Sequence, residues 1–231
     1  LGELQMQVNH KVSKLGCAIA LVAGIVMVPN AYADMTSNIG VISKYILRGV
    51  TSPALPTPPA IPTPANSEND GTAVQGGVDY SHASGFYAGY WGSNLSYGND
   101  TKTGFENDFY AGYGGKAGDF GYSIGLIQYY YLNIDSSDGL EVDASVSYGP
   151  FKGGMKYLTG DVAWGNGGDI YWTLGYSTKL LEHFTFGTIL GYYTYEESGK
   201  FIPTSTNSSA FRHLDLSLSH PIAATGADMI L

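Results

Sequence analysis

One cysteine occurs in 231 residues, Cys17. It rules out any disulfide framework and any metal or redox centre built from cysteines. Basic residues are also scarce, with 11 Lys and Arg against 20 Asp and Glu for a net charge of −9. Phosphate backbones are held by clustered Lys and Arg, so nucleic acid is not an expected partner. Long apolar runs are missing beyond residues 15–28. That single run falls short of the roughly 20 residues a membrane-spanning helix needs. Proline is concentrated rather than scattered: six of the ten lie between Pro53 and Pro64.

What is present begins with a leader. Met6 reads as the start, Lys11 and Lys14 as a positive n-region, and residues 15–28 as an apolar h-region. Ala31-Tyr32-Ala33 is a small-x-small cleavage site, so residues 1–33 are expected to be removed as a signal peptide. Cys17 precedes most of the apolar run, which is the wrong order for a lipid-modified cysteine. The mature chain, 34–231, is then expected to form one domain.

That domain is written in alternation. Leu140, Val142, Ala144, Val146 and Tyr148 share one face of a strand, and Glu141, Asp143, Ser145 and Ser147 share the other. Ile170, Trp172, Leu174 and Tyr176 repeat the pattern, as do Leu214, Leu216 and Leu218. Strands are expected at 38–50, 73–82, 85–96, 105–114, 120–132, 140–148, 151–161, 169–179, 183–195 and 210–219, with another starting at 228. Each is near the 9–11 residues a tilted strand needs to cross a bilayer. The connections alternate in length. Short ones fall at 83–84, 115–119, 149–150, 180–182 and around Pro221; long ones at 51–72, 97–104, 133–139, 162–168 and 196–209.

Alternating strands with alternating turn lengths predict an all-β, antiparallel transmembrane β-barrel, with short turns periplasmic and long loops outside. The chain stops at Leu231 just as a strand begins. An open edge in lipid would leave amides unpaired at several kcal/mol each. The reading is therefore of a twelve-stranded barrel truncated at its C-terminal end. Tyr45, Tyr80, Tyr130, Tyr148, Phe184 and Tyr195 are expected as interfacial girdle aromatics. The proline-rich loop, 52–71, reads as a solvated surface insertion biased to extended conformation.

Asn38-Ile-Gly-Val-Ile-Ser-Lys-Tyr-Ile-Leu-Arg-Gly-Val50 and Ala73-Val-Gln-Gly-Gly-Val-Asp-Tyr80 resemble the TorF-type porin family (Gcw_chp). Gly85-Phe-Tyr-Ala-Gly-Tyr-Trp-Gly-Ser-Asn94 and Asp108-Phe-Tyr-Ala-Gly-Tyr113 are similar to that family's next two strands. The resemblance implies a Gram-negative outer-membrane protein. Two departures stand out, the proline-rich insertion and the missing C-terminal end.

With apolar faces on lipid, the pore-lining candidates are Lys44, Arg48, Gln75, Asp79, Glu106, Asp108, Glu141, Asp143, Lys152, Lys156, Arg212 and Asp215. Lys44 and Arg48 are expected on one strand face, pairing with Asp79 or Glu106, while Tyr45 and Leu47 face lipid. Opposed charges across a bore would sort solutes by charge and size. His213-Leu214-Asp215 places a base and an orienting carboxylate on one face, but no nucleophile motif accompanies it. Two ligands are too few for a metal site. No cofactor, metal or catalytic residue is therefore expected.

Three functional readings stand side by side. The first is an outer-membrane channel passing small solutes or ions, its partners being lipid and those solutes. The second is a non-conducting structural or surface-interaction barrel, and the third a barrel lipid hydrolase. The sequence names neither solute nor oligomeric state.

Overall fold

A computed structural model describes residues 5–8, 33–49, 72–96, 98, 102–205, 207–222 and 227–230. Ten strands of eight or more residues carry the fold: β2 Asp34–Ile42, β3 Ala73–Ser81, β4 Phe86–Asn94, β5 Phe105–Ala117, β6 Phe120–Leu132, β7 Gly139–Tyr148, β8 Phe151–Leu158, β9 Ile170–Leu180, β10 Phe184–Thr194 and β11 Ser209–Ile222. Each pairs antiparallel with its sequence neighbour. Two four-residue strands, β1 Gln5–Val8 and β12 Ala227–Ile230, complete the circuit. β1 lies between β12 and β2, so the sheet returns on itself as a barrel.

The barrel forms because side chains alternate across each strand. In β6, Phe120, Tyr122, Ile124, Leu126, Tyr130 and Leu132 are exposed on the outside. Ser123, Tyr129 and Tyr131, on the other parity, are buried inside. β7 turns Val146 and Tyr148 outward and buries Glu141. A period of two thus separates an apolar exterior from a polar interior. Outer aromatics meet between strands near the short turns: Phe86 with Tyr113, Phe120 with Tyr148 and Phe151 with Tyr176, centroids 5.2, 4.8 and 5.2 Å apart.

Several expectations are corrected. The first long strand ends at Ile42 rather than residue 50, and residues 43–49 leave the wall. Tyr45 and Leu47 therefore do not face outward: Tyr45 is buried and Leu47 packs against the cluster it belongs to. Pro221 is no turn; it lies in β11 opposite Asp228, near the strand's end, where losing one ladder donor is tolerated. Twelve strands are reached, but one of them, β1, consists of residues assigned from sequence to the leader or ahead of it. The rest of that leader and the proline-rich loop fall outside the described residues.

Tight turns join the strands at one end, and two of them use left-handed glycines, Gly118 at φ 62° and Gly149 at φ 54°. The opposite end carries the long loops, and the interior core sits beneath them. Its cluster is Ile42, Tyr45, Ala73, Leu95, Tyr129 and Tyr131.

Candidate functional site

The long-loop half of the bore is filled by the segment that follows β2. Arg48 (φ 51°) and Gly49 (φ 79°) are consecutive left-handed residues. The chain has already left the wall at residue 43, and this pair turns it within the interior. Gly49 fits because a Cβ there would lie 2.6 Å from the His213 Cβ.

Arg48 ends against the far side of the barrel. Its Nη1 donates to Glu141 Oε1 at 2.9 Å and its Nη2 to Oε2 at 2.6 Å, a bidentate pair with side chains 8% and 1% exposed. Nη1 also donates to the Tyr193 hydroxyl at 2.6 Å and Nη2 to that of Tyr129 at 3.2 Å. The guanidinium carbon lies 4.7 Å from the Tyr171 ring centre and 5.9 Å from that of Trp164. A planar cation is thus held by a carboxylate at its edge and by aromatic faces around it. Burial raises the Coulomb attraction of such a pair, but also the cost of breaking it.

A second cluster backs the first. Glu106, 1% exposed, accepts from Tyr45 at 2.8 Å and Tyr131 at 2.9 Å. Tyr45 packs on Trp91 at 5.8 Å, which settles Trp91 on the inner face. Loops lie over this layer: Trp164 donates from Nε1 to the Ser137 carbonyl at 2.8 Å, and the Asp138 carboxylate accepts from the Tyr131 amide at 2.8 Å.

The sequence-predicted residues divide by place. Arg48, Gln75, Glu106, Asp108, Glu141 and Lys156 are drawn into the filled half, all buried or nearly so. Lys156 pairs with Asp143 at 3.3 Å where this half ends. Asp79 accepts from Tyr110 farther toward the short turns. Lys152 also lies there on the inner parity, opposite Gly175 and Ser147. Lys44 is half-buried in the segment after β2, not on a strand face with Arg48. The expected pairing of Arg48 with Asp79 or Glu106 is overturned: leaving the wall carries its guanidinium across to Glu141.

On β11, a bulge where the register steps between Gly191 and Tyr192 leaves Arg212 without an opposite residue. Exposed Phe211 and Leu214 then flank two successive inward residues, Arg212 and His213. The Arg212 Nη1 reaches the Tyr195 hydroxyl at 3.4 Å. Tyr195 stacks on Tyr193 at 5.0 Å, so it belongs to the inner network rather than to an outer girdle. His213 Nδ1 lies 3.0 Å from the Asp215 carboxylate without the geometry of a hydrogen bond, and the Tyr171 hydroxyl meets His213 Nε2 at 2.8 Å. Gly191 makes room for this ring: a Cβ would stand 2.2 Å from Nε2.

Sequence reasoning missed Tyr45, Tyr129, Tyr131, Tyr171, Tyr193 and Trp164. Strand parity carried the signal for four of them, since Tyr129 and Tyr131 alternate with exposed Tyr130 and Leu132, and Tyr171 and Tyr193 with exposed Trp172 and Tyr192. Trp164, in a loop, had no such signal.

The long loops are braced to one another. Asp161 accepts from the amides of Gly167 and Lys200, each at 2.8 Å, and these donors hold its carboxyl below the usual range. Asp169 accepts from the amides of Asn166 at 3.0 Å and Glu196 at 2.8 Å, yet burial pushes its carboxyl up.

Fold and site together define an antiparallel β-barrel with an apolar outside and an ion-paired, aromatic inside. Residues 28–227 match the family described as bacterial protein of unknown function (Gcw_chp), and the chain belongs to that family. No curated protein and no solved structure matches it.

Proposed function

We propose that this protein is an outer-membrane β-barrel that passes small solutes or ions through a bore held shut by the Arg48 segment. Its partners are then lipid on the outside and the permeating solute within. The observation carrying this reading is that one chain puts rows of exposed Ile, Leu, Val, Phe and Tyr outside a barrel and an ion-paired segment across its inside. In water such an exterior would be an aggregation-prone apolar surface; in a bilayer it is solvated by acyl chains. Among the described residues no helix is long and apolar enough to cross a membrane. The resemblance to TorF-type porins agrees with passage rather than with catalysis.

The plug is a segment, not a domain, which favours a gated or narrow passage over a wide general pore. Twelve strands lie between eight-stranded barrels that side chains fill and sixteen-stranded ones that leave a channel. Planar-bilayer recordings of the refolded full-length protein test the proposal. Wild type should give rare, small current steps, and Arg48→Ala should make them larger or more frequent. If neither conducts above the lipid background although both show heat-dependent gel mobility, the barrel is structural. That second reading is favoured by how completely Arg48 and Glu141 are satisfied.

A further inference from the structure

Two carboxylates of the filled half, Glu106 and Asp108, make no ion pair among the described residues. Arg48 is committed to Glu141 at 2.6 Å and Lys156 to Asp143 at 3.3 Å. Among the described residues Glu106 is met only by two neutral phenols. Asp108, 2% exposed, has no hydrogen-bond partner on either carboxylate oxygen among the described residues. Gln75, 5% exposed, likewise leaves its Oε1 without a partner.

These groups share one stretch of the inner wall. Asp108 and Glu106 are two residues apart on the same face of β5, roughly 7 Å along the strand. Gln75 pairs with Ser93, and Ser93 pairs with Glu106, so all three lie in one row across β3, β4 and β5. At about 4.8 Å between strands, the backbones of Gln75 and Glu106 are roughly 10 Å apart, a span that two long inward side chains can bridge around one cation. Every unmet atom here is an oxygen acceptor. What completes such a set must be positive or a donor, since a buried carboxylate without one is strongly disfavoured.

We propose that Asp108, with Gln75 and Glu106, forms a site for a hard metal cation inside the bore, with Asp108 as its bidentate ligand. Oxygen-only donors that include carboxylates and an amide suit an alkaline-earth or alkali ion rather than a transition metal. Among the described residues no three His, Cys, Asp or Glu are gathered for a metal. The set therefore depends on the amide and phenol oxygens beside two carboxylates. The site does not require conduction; if the bore also conducts, it lies on the path and favours cations.

The test is urea unfolding of refolded full-length protein in detergent, at matched ionic strength in calcium, sodium or N-methylglucamine chloride. The proposal expects the wild-type midpoint to rise with the logarithm of metal concentration in calcium or sodium and to stay flat in N-methylglucamine. Asp108→Asn should abolish that rise while remaining at least as stable as wild type in N-methylglucamine, because it buries no charge. Gln75→Leu should shift the titration to higher metal. Coincident wild-type midpoints in all three salts overturn the site, as does an Asp108→Asn chain that keeps the metal dependence. Should that variant fail to fold, an unshifted Gln75→Leu titration overturns it instead. Gating by Arg48 is read separately, in bilayer currents, so either idea can fail alone.

Discussion

The two halves of the bore use the same side-chain types to opposite ends. Near the long loops, tyrosines point to the axis and meet: Tyr45, Tyr129, Tyr131, Tyr171 and Tyr193 converge on Arg48, Glu106 and Glu141. Near the short turns, tyrosines lie flat on the wall. Tyr110 crosses Gly89 to reach Asp79, and a Cβ on Gly89 would stand 2.4 Å from its ring. Tyr87 crosses Gly112 and Gly125 in the same way, its hydroxyl 2.4 and 2.6 Å from where their Cβ atoms would be. Glycine opposite tyrosine lets an aromatic ring fold against the sheet, whereas in the long-loop half the rings gather on Arg48 and the buried carboxylates.

The largest test of that contrast removes the charge that gathers the rings. Glu141→Ala leaves the Arg48 guanidinium buried without its carboxylate, at a cost of about 3–5 kcal/mol. A lower urea midpoint and loss of the heat-resistant gel band check it. The paired change Arg48→Met with Glu141→Leu should recover much of this loss, because no buried charge remains. If single and double variants are equally destabilised, packing rather than charge holds the plug.

The short-turn half is tested by adding bulk to it. Gly112→Val forces a branched side chain against the Tyr87 hydroxyl and the Ile124 carbonyl, where a Cβ would lie at 2.4 Å from each. Overpacking of this kind costs about 1–3 kcal/mol, less than breaking the ion pair. Tyr87 must also swing toward the axis. In an Arg48→Ala background, where the plug is gone, the added Val should then lower bilayer current. Unchanged current would mean that the flat tyrosines do not set the width.

The same contrast explains what the sequence disclosed. Strand positions came through because a period of two is forced on any sheet with unlike faces: β6 is found where alternation places it, at Phe120–Leu132. Glu106, Asp108, Glu141 and Lys156 lie on the buried parity of their strands. The plug was not legible. Residues 38–50 continue the alternation past the strand's end, and nothing local marks the departure at residue 43. It is fixed by distant partners, Glu141 and Tyr193, which lie 93 and 145 positions along the chain. Such choices are made by tertiary contacts that override local pattern. The bulge at Arg212 escaped for a related reason, since one extra residue is invisible until the opposing strand is laid beside it.

The smallest expected effect lies above the plug, in the loop brace, and it separates two carboxylates by the sign of their titration. Asp161 is held low by the amides of Gly167 and Lys200. A depressed native value means that its contribution is complete above the unfolded value of about 3.9 and is lost as pH falls through the native one. Asp169 is held high, because burial outweighs the amides of Glu196 and Asn166. Its contribution has the opposite sign: it favours the folded loops more as pH falls below the raised value and less as it ionises above. Hydrogen exchange at the Gly167 and Lys200 amides should therefore quicken as pH drops below about 4, after correction for the intrinsic rate. Asp161→Asn should remove that pH step and quicken exchange already at neutral pH. Asp169→Asn should leave the step in place, since the amides it frees belong to Asn166 and Glu196. Because the brace lies outside the bore, neither change should move the urea midpoint as far as Glu141→Ala. A comparable drop would mean that the loops, and not the Arg48–Glu141 pair, keep the long-loop end closed.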